Sequence, residues 1–187
     1  MNIEQFRQRF LLQLPPRSQS DSAGGREAAV LLPVIARQVP ALLLTRRADH
    51  LRHHPGQVAF PGGKRDPGDR HLYDTVLRET SEELGLSREN IEIIGQLPAV
   101  SSQTGFRVTP FVAILPADLP ITLDAGEVAG VFEIPLLPWL HSRHFSSLNV
   151  IRRGQPAEIW LSGYQPHVIW GMTAGILRDF GRQILGK

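Results

Sequence analysis

Apolar residues recur at helical spacing near both ends and the middle of the chain, and run in short continuous blocks between. Over residues 3–14 (IEQFRQRFLLQL), Ile3, Phe6, Phe10 and Leu14 fall near one helical face and predict a short amphipathic helix. The breaker-rich stretch Pro15–Gly25 (PPRSQSDSAGG) predicts a linker or irregular loop. Two apolar runs, 28–36 (AAVLLPVIA) and 41–45 (ALLLT), are separated only by RQVP and predict neighbouring strands. A short strand over 57–60 (QVAF) then runs into Pro61-Gly62-Gly63. The strongest helical pattern spans 70–84, with Tyr73, Leu77, Thr80 and Leu84 as its buried stripe and Gly85 where a left-handed cap belongs. Beyond it, 91–100 and 106–115 are β-rich and joined by SSQTG. Residues 127–136 predict a strand leading into the turn or short helix PLLPWL, 152–161 a hairpin, and 172–185 a closing helix. Strands on both sides of a central helix, with a second helix at the end, indicate an α/β (α+β) sandwich: a mixed sheet between helices. The expected organisation is an N-terminal helix and linker appendage over 1–25 and one domain over 26–187.

Composition narrows the function classes. At 187 residues and 42% hydrophobic, the chain can bury a core unaided. It has no Cys, which excludes disulfides, thiolate metal sites and a Cys nucleophile. No apolar run approaches the roughly 20 residues of a membrane span, and the N-terminus does not resemble a signal peptide; a cytoplasmic protein without a membrane partner is expected. All but two of the 20 basic residues, Lys64 and Lys187, are arginine. Arginine's planar fork suits phosphate oxygens, although a coding bias explains the same count. The arginines are scattered among 18 acids rather than gathered in a stripe, so no nucleic-acid partner is expected.

The chemistry concentrates in Gly62–Asp69 and the helix after it. Glu79, Glu82 and Glu83 are three and four residues apart, so a helix projects all three carboxylates from one face. Most such runs are solvated helix faces. Here a strand, the FPGG turn and a loop precede the helix, and the acids lie apart from its apolar stripe. Adjacent carboxylates raise one another's pKa and oppose folding. A hard divalent cation reverses that sign, since Mg²⁺ favours carboxylate oxygens and takes water and substrate phosphates as its other ligands. A Gly-Gly turn lets backbone approach the site, and the Gly63 carbonyl is a candidate further ligand. Arg78 is placed to pair with an acid of the preceding loop and lock helix to turn, with Asp69 as the expected partner.

These residues resemble the Nudix hydrolases, whose signature is GX5EX7REUXEEXGU with U a bulky apolar residue. The match is close in RETSEELGL (78–86), with Thr80 at the first U. It departs upstream, where Asp69 stands in place of Glu and eight residues rather than seven precede Arg78. The segment LLTRRADHLRHHPGQVAFPGGKRD (43–66) is similar to LLTxRSxxLRxHxGxVxFPGGxxD, the added signature of coenzyme A pyrophosphatases within that family. The one mismatch is Ala48 in the place of Ser. Members of that subfamily carry the longer spacing, and the resemblance extends over roughly residues 28–180.

The resemblance implies Mg²⁺- or Mn²⁺-dependent hydrolysis of coenzyme A to 4′-phosphopantetheine and adenosine 3′,5′-bisphosphate. It implies Glu79 and Glu83 as the chief metal ligands and Glu82 as an auxiliary ligand or catalytic support. A general base supplied from a loop outside the helix is expected at Glu127, with Glu133 second. Arg47, Arg52 and His54 match the coenzyme A signature and are the expected phosphate contacts, against a surface ion pair for Arg47. His50, His53 and His54 lack the spacing of a transition-metal site, and Trp139, Trp160 and Trp170 suit packing better than adenine stacking. The alternatives are a Nudix pyrophosphatase for ADP-ribose, NADH, a dinucleotide or a nucleoside triphosphate, and a non-enzymatic nucleotide sensor on the same fold. A sensor should have lost the acidic trio, which is intact here. A homodimer is admitted as a partner state.

Overall fold

The computed structural model describes residues 1–13, 26–152, 154–164 and 166–186; the expected linker 15–25 lies outside them. The two apolar runs form β1 (Arg26–Ile35) and β2 (Ala41–Arg47), paired antiparallel through Val34–Leu42 and Ile35–Ala41. Along its other edge β1 pairs in parallel with β7 (Phe106–Leu115) over its whole length. β1 is covered on both faces, which explains why it reads as a continuous apolar run. Ala29, Leu31 and Ile35 pack towards α2 (Leu72–Leu84). Leu32 and Val34 pack towards α1 (Ile3–Leu12) and α4 (Met172–Leu185). The result is the expected mixed sheet between helices.

The sheet is completed by β3 (Val58–Ala59), β4 (Gly62–Lys64), β5 (Glu92–Gln96), β6 (Val100–Ser101) and β8 (Val128–Pro135). One edge of β1 is shared by two strands: residues 28–30 pair with β4, and residues 34–35 with β2. β2 and β4 therefore splay apart. The gap between them, opposite the acidic face of α2, is where the candidate site lies.

The N-terminal helix packs against α4. Phe6 and Phe10 are buried, and their rings lie 6.0 and 6.3 Å from that of Phe180 in α4. The expected hairpin is wider than its sequence pattern. β9 (Ser146–Arg152) and β10 (Gln155–Tyr164) pair through Leu148–Ile159, and β11 (His167–Trp170), which the pattern did not single out, completes a separate three-stranded sheet. The predicted stripe of α2 holds for Leu77, Thr80 and Leu84. Tyr73 is instead 45% exposed, its ring edge-on to Phe111. Gly85 ends the helix at φ +67°, as its position predicts. No helix among the described residues is long and apolar enough to cross a membrane.

Candidate metal and phosphate site

Helix α2 divides its acids by depth. Glu83 is buried at 4% exposure and Glu79 faces the β4 turn, whereas the Glu82 side chain is more than half exposed on the rim. The turn is shaped around the two deeper carboxylates. Gly62, at φ +142°, donates its N–H to Glu83 Oε2 at 3.1 Å. A Cβ at Gly63 would lie 2.4–2.5 Å from the Glu79 carboxylate, so only glycine lets that side chain rest on the turn. Gly63→Ala is therefore expected to displace Glu79 and lower turnover about tenfold or more, in line with the cost of disturbing groups that orient metal ligands. A steady-state assay beside a melting curve separates that loss from unfolding.

Asp69, where the Nudix signature has Glu, is buried and receives the fork of Arg78. Nε donates to Oδ1 at 3.2 Å and Nη2 to Oδ2 at 3.0 Å. Thr75 Oγ1 and the Asp66 N–H donate to the same carboxylate. Arg78 Nη2 also donates to the Lys64 carbonyl, and Nη1 reaches Glu79 at 3.0 Å and Glu82 at 3.1 Å. One guanidinium thus ties the helix to the loop and to β4, and offsets part of the repulsion among the acids.

Electrostatics single out the two deep acids. Burial pushes Glu79 above the usual carboxylate range, with Arg78 opposing the shift and Glu82 and Glu127 adding to it. Burial raises Glu83 to about 8. The Gly62 N–H opposes that shift, Glu79 and Glu127 reinforce it, and Arg47 opposes it. The Arg78 fork holds Asp69 well below the carboxylate range.

Glu127, at the foot of β8, therefore shares a field with both acids, although it is distant in sequence. Its loop is stitched in place: Thr122 N donates to Leu84 O and Asp124 N to Glu83 O at the end of α2, and Ala48 N donates to Glu127 O. His50 Nε2 lies 3.1 Å from Gly126 O, a contact between the 48–57 loop and the loop that carries Glu127. Glu133 is drawn away from the site, since both its carboxylate oxygens bond Arg37 at 2.6 Å further along β8. Arg47, just past a bulge in β2, is partly buried within electrostatic reach of Glu83; among the described residues its Nε has no hydrogen-bond partner, and its neighbour Arg46 rather than Arg47 makes an ion pair, to Asp49.

Arg52 and His54 are exposed on the 48–57 loop, and neither contributes to the shifts of Glu79 or Glu83. Trp160 is stacked by Arg178 and Trp139 by His144, which fits packing. Sequence reasoning missed the Gly62 N–H. Its only trace is that Gly62 precedes the glycine that was singled out.

Among the described residues no group of three or more His, Cys, Asp or Glu side chains converges closely enough to enclose a metal ion alone. The donor set suits Mg²⁺ nonetheless. That ion is commonly held by one or two carboxylates and takes its other ligands from water and substrate phosphates, and two deep carboxylates raised by burial and by like charge are what such an ion would relieve. Arg78 occupies part of the third.

Comparison with known proteins agrees with this geometry. A profile of the NUDIX domain matches residues 25–141. An uncharacterized Nudix hydrolase NudL of Enterobacter sp. (strain 638) is 48% identical over 184 residues, covering 98% of this chain and 95% of that protein. A NudL of Escherichia coli (strain SMS-3-5 / SECEC) is 45% identical over the same coverage. Among solved structures, a MutT/nudix family protein from Enterococcus faecalis aligns with all of this chain and 76% of its own at TM-score 0.55 and 20% identity. A C. elegans Ap4A hydrolase binary complex aligns with 58% of this chain and 80% of its own at TM-score 0.51 and 21% identity. These two structural likenesses bear on the fold alone. Nudix hydrolases generally use divalent metal ions, and by its sequence, its fold and its intact acidic helix this chain belongs to the Nudix hydrolase family and is a pyrophosphohydrolase.

Proposed function

We propose that the substrate is coenzyme A or a derivative, cleaved at its diphosphate to 4′-phosphopantetheine and adenosine 3′,5′-bisphosphate. The observation that carries this reading is the placement of the 43–66 segment. The stretch resembling the coenzyme A signature forms most of β2, the 48–57 loop, β3 and the β4 turn, and it brings Arg47 within electrostatic reach of Glu83, its buried Nε unpartnered among the described residues. A buried guanidinium N–H without a partner is costly, and a phosphate oxygen would satisfy it.

In this reading Glu79 and Glu83 hold Mg²⁺ or Mn²⁺, with the Gly63 carbonyl as a further donor and Glu82 in support. The cation would neutralise the diphosphate and acidify water. Arg47 orients the diphosphate in the gap, and Arg52 and His54 reach the substrate from the exposed loop. Glu127 takes the proton from the attacking water. Its backbone anchors to Ala48 and, through Gly126, to His50 hold it opposite the deep acids. Arg78 and Asp69 position helix and turn.

The test is product analysis with coenzyme A, its thioesters, ADP-ribose and NADH, each with Mg²⁺ or Mn²⁺. Coenzyme A or a thioester is expected to give the highest kcat/KM; if both are the poorest of the set, the substrate assignment fails. Arg47→Gln is expected to raise KM for coenzyme A about tenfold to a hundredfold, as for a charged hydrogen bond of roughly 1.5–3 kcal/mol.

A further inference from the structure

A cavity lies one residue along β4 from the metal turn, and of its lining residues only Asp69 has a role above. It is an open cavity of about 420 Å³, lined by the cations Arg26, Lys64 and Arg65, the acids Glu27, Asp66 and Asp69, and Phe106. Strand alternation sends the Lys64 side chain to the face opposite that on which Gly63 meets Glu79, so the cavity backs onto the site without being part of it. β1 and β7 bring Arg26 level with Phe106.

The charges around this cavity are unevenly matched. Arg65 pairs with Glu27 at 2.6 Å and also bonds the Asp69 and Arg70 carbonyls; Asp69 is taken by Arg78, and Asp66 stands 3.9 Å from Arg78. Arg26 and Lys64 have no carboxylate within 4 Å among the described residues. Arg26 spends one N–H on the Thr104 carbonyl, and its guanidinium carbon lies 4.2 Å from the centroid of the Phe106 ring. The Lys64 ammonium lies 5.5 Å from the same centroid. The ring therefore gathers two cations that have no anionic partner among the described residues.

We propose that this cavity is an anion subsite for the phosphate group of a nucleoside phosphate, gripped between Arg26 and Lys64. The ring is already used by the cations, so recognition runs through phosphate rather than through base stacking. The volume falls in the range of small-molecule sites, about 300–1,000 Å³, and leaves room for the attached nucleoside. The phosphate belongs either to the far end of the enzyme's own substrate or to a separate nucleotide, and the same grip serves both.

The test uses the full-length, isotopically labelled chain, titrated with adenosine 3′,5′-bisphosphate in the absence of divalent cation and followed by backbone amide resonances. The Lys64 and Phe106 amides are expected to shift. In the double variant Arg26→Gln/Lys64→Gln those shifts should vanish, Kd should rise at least tenfold, and the melting temperature should hold. Steady-state kinetics then separates the sources. A substrate-borne phosphate makes the double variant raise KM for coenzyme A but not for dephospho-coenzyme A; a separate nucleotide leaves both KM values unchanged while binding is still lost. The binding arm needs no turnover, so it stands or falls apart from the coenzyme A assignment. Absence of shifts at Lys64 and Phe106, or an unchanged Kd in the double variant, overturns the subsite.

Discussion

Glu83→Gln is expected to abolish most turnover while leaving the metal-free protein at least as stable as the parent. Losing a group that only supports a metal ligand costs about 10–100-fold, so losing the ligand itself should cost more, on the order of 10³-fold. The stability half follows from burial. Glu83 moves from an ordinary value of 4.5 to about 8 in the fold, so the folded state holds its proton more tightly than the unfolded one. Its contribution to stability is complete below about pH 4.5 and is lost as pH rises through about 8. Over that window the metal-free parent should lose on the order of 3–5 kcal/mol. The amide should lose far less, since it carries no charge and can still accept the Gly62 N–H. Chemical denaturation at pH 5 and pH 8.5, with and without chelator, measures both halves. A parent whose stability is flat across that range, or a variant with full activity, would contradict the assignment of Glu83.

Arg78→Ala is expected to act in the opposite sense, on the fold first. It strands a buried Asp69, removes the tie from helix to β4, and leaves Glu79 and Glu82 without their shared cation. Breaking a buried pair costs about 3–5 kcal/mol. Because the Arg78 side chain is 23% exposed, solvent screening lowers that figure to about 2–4 kcal/mol. Arg78→Lys should recover little, since one ammonium cannot make two bonds to Asp69 and still reach Glu79 and Glu82. The acid limb should also move. Asp69 is held low by Arg78, so it stabilises the fold above its ordinary value of 3.8 and loses that contribution as pH falls further. Without Arg78 the acid-unfolding midpoint should shift upwards. Urea midpoints at pH 7 and an acid titration of both variants decide it; an unchanged midpoint would remove the clamp from the account.

Much of this was legible in the chain because local pattern and tertiary role agree. The apolar blocks of β1 and β2, the stripe of α2 and the cap at Gly85 follow from periodicity and backbone freedom, and the acids of α2 from spacing alone. What escaped depends on contacts remote in sequence. The meeting of Phe6 with Phe180 spans nearly the whole chain, and no local pattern foretells it. Tyr73 sits at the correct helical spacing but on the first turn, edge-on to Phe111 and partly open to solvent. β11 is four residues long and is defined only by its pairing with β10. The pairing of Glu133 with Arg37 is one that no local pattern foretells. The arginines of the 43–66 segment look alike in sequence, yet among the described residues Arg46 is paired with Asp49, Arg47 is half-buried with an unpartnered Nε, and Arg52 is exposed.

The most direct measurement is Mn²⁺ binding followed by electron paramagnetic resonance, in which only free ion gives the sharp aqueous signal. The parent chain should quench that signal saturably, more strongly as pH rises towards 8 and Glu83 gives up its proton. The double variant Glu79→Gln/Glu83→Gln, folded by circular dichroism, should leave the signal almost untouched. Equal quenching by parent and variant would mean that the ion sits elsewhere, and that the paired deep carboxylates of α2 are not what binds it.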